Sequence, residues 1–197
     1  MKKIFLSASV PKLDRPEKYH KTADVIAIRD AVKALATVVI PKAELIWGGH
    51  PAITPLIREI LERMNTSVQL HVTIYQSGFF EGHFPKDNQA FEHIIITTPK
   101  KDKPESLKEM RARMIGDNDF AAGIFIGGME GVEAEYALFK KYHPQTPALA
   151  IASTGAAAGI VYKQQLENAM KPDPRLKDDY AYMALFKDLL RDVIAAS

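Results

Sequence analysis

The sequence predicts a three-layer α/β fold, an open parallel sheet of about six strands with helices on both faces. Three observations point to it. Short apolar runs alternate with longer stretches of helical periodicity, the pattern of repeated strand and helix units. Several of the short runs are continuously apolar or β-branched, as strands covered on both faces tend to be. Four of them end in small or glycine-rich residues, where a parallel strand turns toward its crossover helix.

Taken in order, KIFLSA (3–8) reads as the first strand, ELIW (44–47) as the second and LHVTIY (70–75) as the third. HIIITT (93–98), GIFI (123–126) and ALAIA (148–152) follow. The first, fourth, fifth and sixth carry the continuous apolar character of doubly covered strands. Between strands, Val25, Ile28, Val32 and Leu35 recur on one helical face, and Ile53, Ile57, Ile60, Leu61 and Met64 do so again. The last segment, with Tyr182, Leu185, Phe186, Leu189, Leu190 and Val193, reads as the cleanest amphipathic helix and as core packing. PKKDKPE (99–105) and MKPDPRLKDD (170–179) read as exposed loops, and the lysines of the first as a solvated run.

At 197 residues the chain fits one domain over 1–197, large enough to bury a core without staples. Its 26 basic and 24 acidic side chains are too balanced to argue for nucleic-acid or membrane binding from bulk charge. The absence of cysteine is compatible with a reducing compartment. MKKIFLSASVPKLDR starts like a secretion signal but turns polar and charged after three strongly apolar residues, and no run approaches a membrane span, so a cytoplasmic protein is expected. The six histidines form neither an i, i+4 pair nor HExxH, so no metal is expected, and no cofactor signature is present.

In an open parallel sheet, ligands bind at the carboxyl ends of the strands. Those ends here are Ser7-Ala8-Ser9, Gly48-Gly49-His50, Gly127-Gly128 and Ser153-Thr154-Gly155, all able to let backbone approach a ligand and to offer N–H or hydroxyl donors. GxGxxG after the first strand and GxxxxGK[ST] are both missing, which removes the main support for dinucleotide dehydrogenases and P-loop enzymes. His50, beside a glycine pair, is a candidate phosphate donor. The segment YQSGFFEGHFPKD (75–87) mixes glycine with aromatic rings and reads either as a lid, with Phe79 or Phe80 stacking on a base, or as a loop buried at a subunit contact. Trp47 ends a strand and reads as core.

These residues resemble the SLOG superfamily, which includes the lonely-guy phosphoribohydrolases and the DprA/Smf proteins, and which has a Rossmann-like fold. IFLSAS resembles its first strand and serine-bearing loop, LIWGGHPAITPLI its glycine pair, and FIGGMEGVEAE its second glycine signature, PGGxGTxEE in the lonely-guy enzymes. The resemblance places Ser7, Ser9, Gly48, Gly49, His50, Gly127, Gly128, Met129, Gly131, Val132, Thr154 and Gly155 around a ligand. A lonely-guy arginine precedes the signature by about the separation of Arg111 from Gly127, so Arg111 takes its place. Aligning Gly131-Val132 with the Gly-Thr of the signature puts Glu135 at the second glutamate. Glu133 and Glu135 point about 200° apart on a helix, so they cannot face one ligand, and Glu133 reads as a dipole-compensating acid of the first turn. The signature departs from the lonely-guy form by one extra residue, by valine in place of threonine and by Glu130, whose charge opposes a tightly held phosphate.

The resemblance implies binding of a nucleotide-derived small molecule, ADP-ribose-like or a cyclic nucleotide signal, by a sensor of the kind tied to bacterial stress or anti-phage defence. Its rival is N-glycosidic cleavage of the lonely-guy or nucleoside deoxyribosyltransferase type, with Glu135 and Arg111 as the catalytic pair. Single-stranded DNA binding lacks a basic stripe interleaved with aromatics. Relatives commonly dimerise, so a homodimer is a further expectation of the resemblance.

Overall fold

The computed structural model of the protein describes residues 1–64 and 66–195. Six parallel strands form one sheet in the order β4-β3-β2-β1-β5-β6, with β1 at Lys3–Ser9, β2 at Glu44–Gly48, β3 at Val72–Ser77, β4 at Ile94–Thr97, β5 at Phe120–Gly127 and β6 at Ala148–Ile151. The chain walks from β1 out to β4, then crosses back to place β5 on the other side of β1, so the winding reverses beside β1. Helices α1 (Glu17–His20), α2 (Val25–Val39), α3 (Thr54–Glu62), α4 (Lys103–Gly116), α5 (Glu130–Tyr142), α6 (Ala156–Glu167), α7 (Arg175–Asp178), α8 (Tyr182–Leu189) and α9 (Arg191–Ile194) complete the described chain.

Local sequence explains where the helices covering the sheet begin. Asp24 caps α2 by accepting from the Ala27 N–H at 2.9 Å, and Asp102 caps α4 by accepting from Glu105 N–H at 2.9 Å, each satisfying an N–H that the first turn leaves without an intrahelical acceptor. Pro104 in the first turn of α4 loses nothing, because its missing N–H would have had no helical partner. Alternation along β1 separates the two faces: Phe5 and Ser7 look toward α4 and α5, while Ile4 and Leu6 look the other way. On the α5 face Phe5 stacks on Phe139 at 5.6 Å and meets Phe120 and Phe125 edge-on or tilted at 5.4 and 5.9 Å. Gly123 is required there, since a Cβ would stand 2.8 Å from the Phe139 ring. On the opposite face α2 packs against α3 and α8, burying Ile28, Val32 and Leu35.

Five expectations shift. The segment read as an exposed loop over 170–179 holds α7, whose Leu176 is fully buried. The third strand starts two residues later than its apolar run, with Leu70 exposed and Leu70-His71 in a 3-10 turn; it extends instead through Gln76 and Ser77, polar residues buried because their partners are at hand. Gln76 Nε2 donates to the Gly49 carbonyl at 3.3 Å, and the Gln76 carbonyl accepts from Thr97 Oγ1 at 3.4 Å. The fourth run, HIIITT, is an edge strand with Ile96 half exposed, so continuous apolarity there does not mean cover on both faces. Val25 likewise is exposed, being the first residue of α2, where the helix has not yet reached the sheet. The final amphipathic segment is two short helices, because Leu190 turns into the core at φ −101° and ψ 0° and breaks the helical path.

Candidate functional site

The carboxyl ends of β1, β2 and β3 open into a cleft of about 400 Å³. Ser9 of β1, Gly48 at the end of β2 with Gly49 and His50 after it, and Gln76 and Ser77 of β3 line it at the strand ends. The rest of its lining comes from α4 with Met110 and Arg111, from the first turns of α5 with Gly131 and Glu135, and from the loop after β3 with Phe80 and Phe84.

At the edge of this cleft three residues far apart in sequence meet. Ser7 Oγ donates to Glu135 Oε2 at 2.5 Å, and Arg111 Nε donates to Glu135 Oε1 at 3.0 Å. The Glu135 and Arg111 side chains are 13 % and 23 % exposed, so their ion pair is sheltered enough to hold geometry and close enough to the surface to meet a ligand. Gly131 lies close against the same guanidinium, where a Cβ would stand 2.9 Å from Arg111 Nη2 and displace the tip of that side chain. Glu133 faces elsewhere: its carboxylate accepts from Tyr19 Oη and pairs with Lys18 Nζ at 3.1 Å, tying α1 to α5. The 200° separation of the two glutamates is therefore realised as two different jobs.

The glycine-rich strand ends divide. Ser9, Gly48, Gly49, His50, Met129, Gly131, Val132, Arg111 and Glu135 line the cleft, and Ser7 stands behind Glu135. Gly127, Gly128, Thr154 and Gly155 lie outside its lining. Their polar groups are spent within the protein: Gly127 N–H donates to Thr154 Oγ1 at 2.8 Å, Gly128 N–H to the Ser9 carbonyl at 2.8 Å, and buried Thr154 donates to the Ile151 carbonyl at 2.6 Å. Gly155, at φ +67°, packs so closely on the Thr22 carbonyl that any Cβ would overlap it. Ser153 is covered by the C-terminal helices, its hydroxyl 3.0 Å from Tyr182 Oη. Even Gly49 N–H is used, donating to the Tyr75 carbonyl at 3.1 Å. The glycines thus let strands and helices approach one another, and the ring of backbone donors expected from the sequence is largely closed off.

His50 is held neutral. Burial, and then the neighbouring charge of Lys12, pull its imidazole down to about 4. The Ala52 N–H donates to His50 Nδ1 at 3.2 Å, so the neutral ring carries its proton on Nε2 and offers a hydrogen bond without a charge. Trp47 also borders the cleft but is held as core, 2 % exposed, edge-on to Phe91 at 5.3 Å and donating to Thr54 Oγ1 at 3.3 Å. Of the two candidate stacking rings, Phe80 lines the cleft and Phe79 points away with 43 % exposure, their planes nearly perpendicular. Lys103 Nζ sits 5.7 Å from the Phe80 ring centre. Lys12 and Arg15 complete the rim; as isolated charges in a polar loop they carry no pattern, and only the folded path of the chain brings them here. Glu130 is exposed at the same rim.

Fold and site together define a doubly wound Rossmann-like domain with its cleft at the strand ends beside the reversal of winding. The chain belongs to the SLOG cluster3 family, whose model matches residues 18–190. Among solved structures it is similar to the X-ray structure of TM1055, Northeast Structural Genomics Consortium target VT76, at 14 % identity over 89 % of each chain with a TM-score of 0.57, a likeness of fold. No curated protein matches the sequence. Among the described residues no helix is long and apolar enough to cross a membrane, and no group of three or more His, Asp or Glu side chains is placed to hold a metal.

Proposed function

We propose that the cleft binds a nucleotide-derived small molecule, ADP-ribose-like or a cyclic nucleotide signal, and that the protein senses it in bacterial stress or anti-phage defence. The observation that carries this reading is the Ser7–Glu135–Arg111 cluster at a cleft whose lining also holds Phe80 and Phe84. A carboxylate fixed by a guanidinium and a hydroxyl is a preorganised acceptor for ribose hydroxyls, and aromatic rings in the same lining suit the flat face of a base. Calorimetric titration with a panel of nucleotides and ADP-ribose derivatives tests it. Saturable binding that weakens in Glu135→Gln is expected; an absence of heat from every member would overturn it.

One observation favours a second reading, cleavage of an N-glycosidic bond. Glu135 lines the cleft with its carboxylate held by Ser7 and Arg111, a position from which it would stabilise a developing oxocarbenium ion or activate water. Incubation with nucleoside monophosphates and with NAD decides this: free base released by the native chain and not by Glu135→Gln would establish the enzyme.

A further inference from the structure

The amides of Gly49, Gly127 and Gly128 are occupied within the protein, yet the cleft is rich in positive charge. Its lining holds Lys12, Arg15, Lys103 and Arg111 against the carboxylates of Glu130 and Glu135, in a chain whose overall charges nearly balance. Arg111 is committed to Glu135. Lys12 and Arg15 have no salt bridge among the described residues, and both lie in the segment between β1 and α1. That segment is anchored at each end, by the β1 pairing with β5 as far as Ser9 and by the Tyr19 and Lys18 contacts to Glu133. Between the anchors a turn closes where Arg15 N–H donates to the Lys12 carbonyl at 3.2 Å. Two free cations are therefore carried on a short, doubly tethered loop over the mouth of the cleft, beside His50 at the end of β2.

Cations left without a salt bridge while 24 acidic side chains are available elsewhere are solvated at rest, and an anion bound in the cleft that both line would be attracted to each. One phosphate can be served by one such group. A pair, with the neutral N–H of His50 below it, suits two linked phosphates.

Resting on the nucleotide reading above, we propose that Lys12 and Arg15 are the phosphate-binding residues of this cleft and that they select ligands carrying a diphosphate, in place of the backbone amides of the glycine pairs. Lys103, over the Phe80 ring, stands at the base-binding wall and has no part in this selection.

The test is calorimetric titration of the full chain with adenosine, AMP, ADP and inorganic pyrophosphate, for the native protein, for Lys12→Ala/Arg15→Ala, and for Lys101→Ala/Lys171→Ala, whose lysines are exposed outside the cleft. The native chain is expected to bind ADP more tightly than AMP, and AMP more tightly than adenosine, with the preference shrinking as salt rises. Removing Lys12 and Arg15 is expected to weaken ADP about 10- to 100-fold, toward the affinity of adenosine, and to abolish pyrophosphate binding, as loss of charged hydrogen bonds does. The control double variant should bind as the native chain does. Native-like ADP binding by Lys12→Ala/Arg15→Ala overturns this inference and leaves the nucleotide reading standing. Pyrophosphate binding without any nucleotide binding overturns the nucleotide reading while the cation pair survives. A native chain that binds none of the four overturns this inference, while the nucleotide reading falls only if the wider panel of nucleotides and ADP-ribose derivatives also gives no heat.

Discussion

Ser7 and Glu135 are 128 residues apart in the chain, and the hydroxyl of one donates to the carboxylate of the other at 2.5 Å. The contact joins the first strand to the helix after the fifth, across the place where the winding reverses. Arg111 completes it from α4, so the cluster exists only once three separate crossover units have packed.

That dependence predicts coupled losses. Glu135→Gln removes the partner of a sheltered arginine and is expected to cost about 1–3 kcal/mol of stability, while Ser7→Ala should cost about 1 kcal/mol. In denaturant unfolding the double variant should lose less than the sum of the two, since both act on one carboxylate. Strict additivity would show that the hydroxyl and the carboxylate do not act together.

The glycines of the strand ends make a second contrast. Gly155 and Gly82 both have positive φ, +67° and +83°, but a Cβ at Gly155 overlaps the Thr22 carbonyl whereas Gly82 has nothing within 4 Å. Gly82→Ala should lose about 1 kcal/mol from backbone strain alone. Gly155→Ala should be far worse, failing to fold or melting well below Gly82→Ala in thermal scans.

Acid should weaken the fold through His50. Its folded imidazole is depressed to about 4 from an ordinary 6.5, so its contribution is present above pH 6.5 and is lost as pH falls toward 4. Unfolding curves across that window should show a decline that His50→Gln makes shallower, and NMR titration of the ring should place its midpoint near the lower end. A midpoint near 6.5 would mean that the ring is solvated.

Phe80 and Phe79 separate the lid reading from a merely apolar loop. Phe80→Ala should weaken nucleotide binding by about 1–3 kcal/mol, the usual worth of a base stacked on an aromatic ring, and Phe79→Ala should leave it unchanged. Equal effects would place the base elsewhere.

Much of this was legible in the chain, and the parts that were not share a cause. Strand positions followed from apolar runs, and the split between Glu133 and Glu135 followed from helical geometry alone. β3 slid by two residues because Gln76 and Ser77 are buried through hydrogen bonds to chain segments that an apolar run does not register. Gly127-Gly128 looked like phosphate donors because local sequence cannot reveal that Thr154 and Ser9 take their N–H groups first. Gly131 was readable as part of a signature, but its close approach to Arg111 was not, because that side chain comes from a helix some twenty residues earlier. Lys12 and Arg15 were invisible for the opposite reason: nothing about a polar loop says which cleft it will overhang.

The most direct test of the central claim is an NMR titration of the ¹⁵N-labelled chain with ADP-ribose. Binding at the strand ends predicts saturable shifts at Ser9, Gly49 and Gly131 and at the Arg111 Nε–H. Shifts concentrated instead in the groove between α2 and α8, around Tyr180 and Met183, would contradict it.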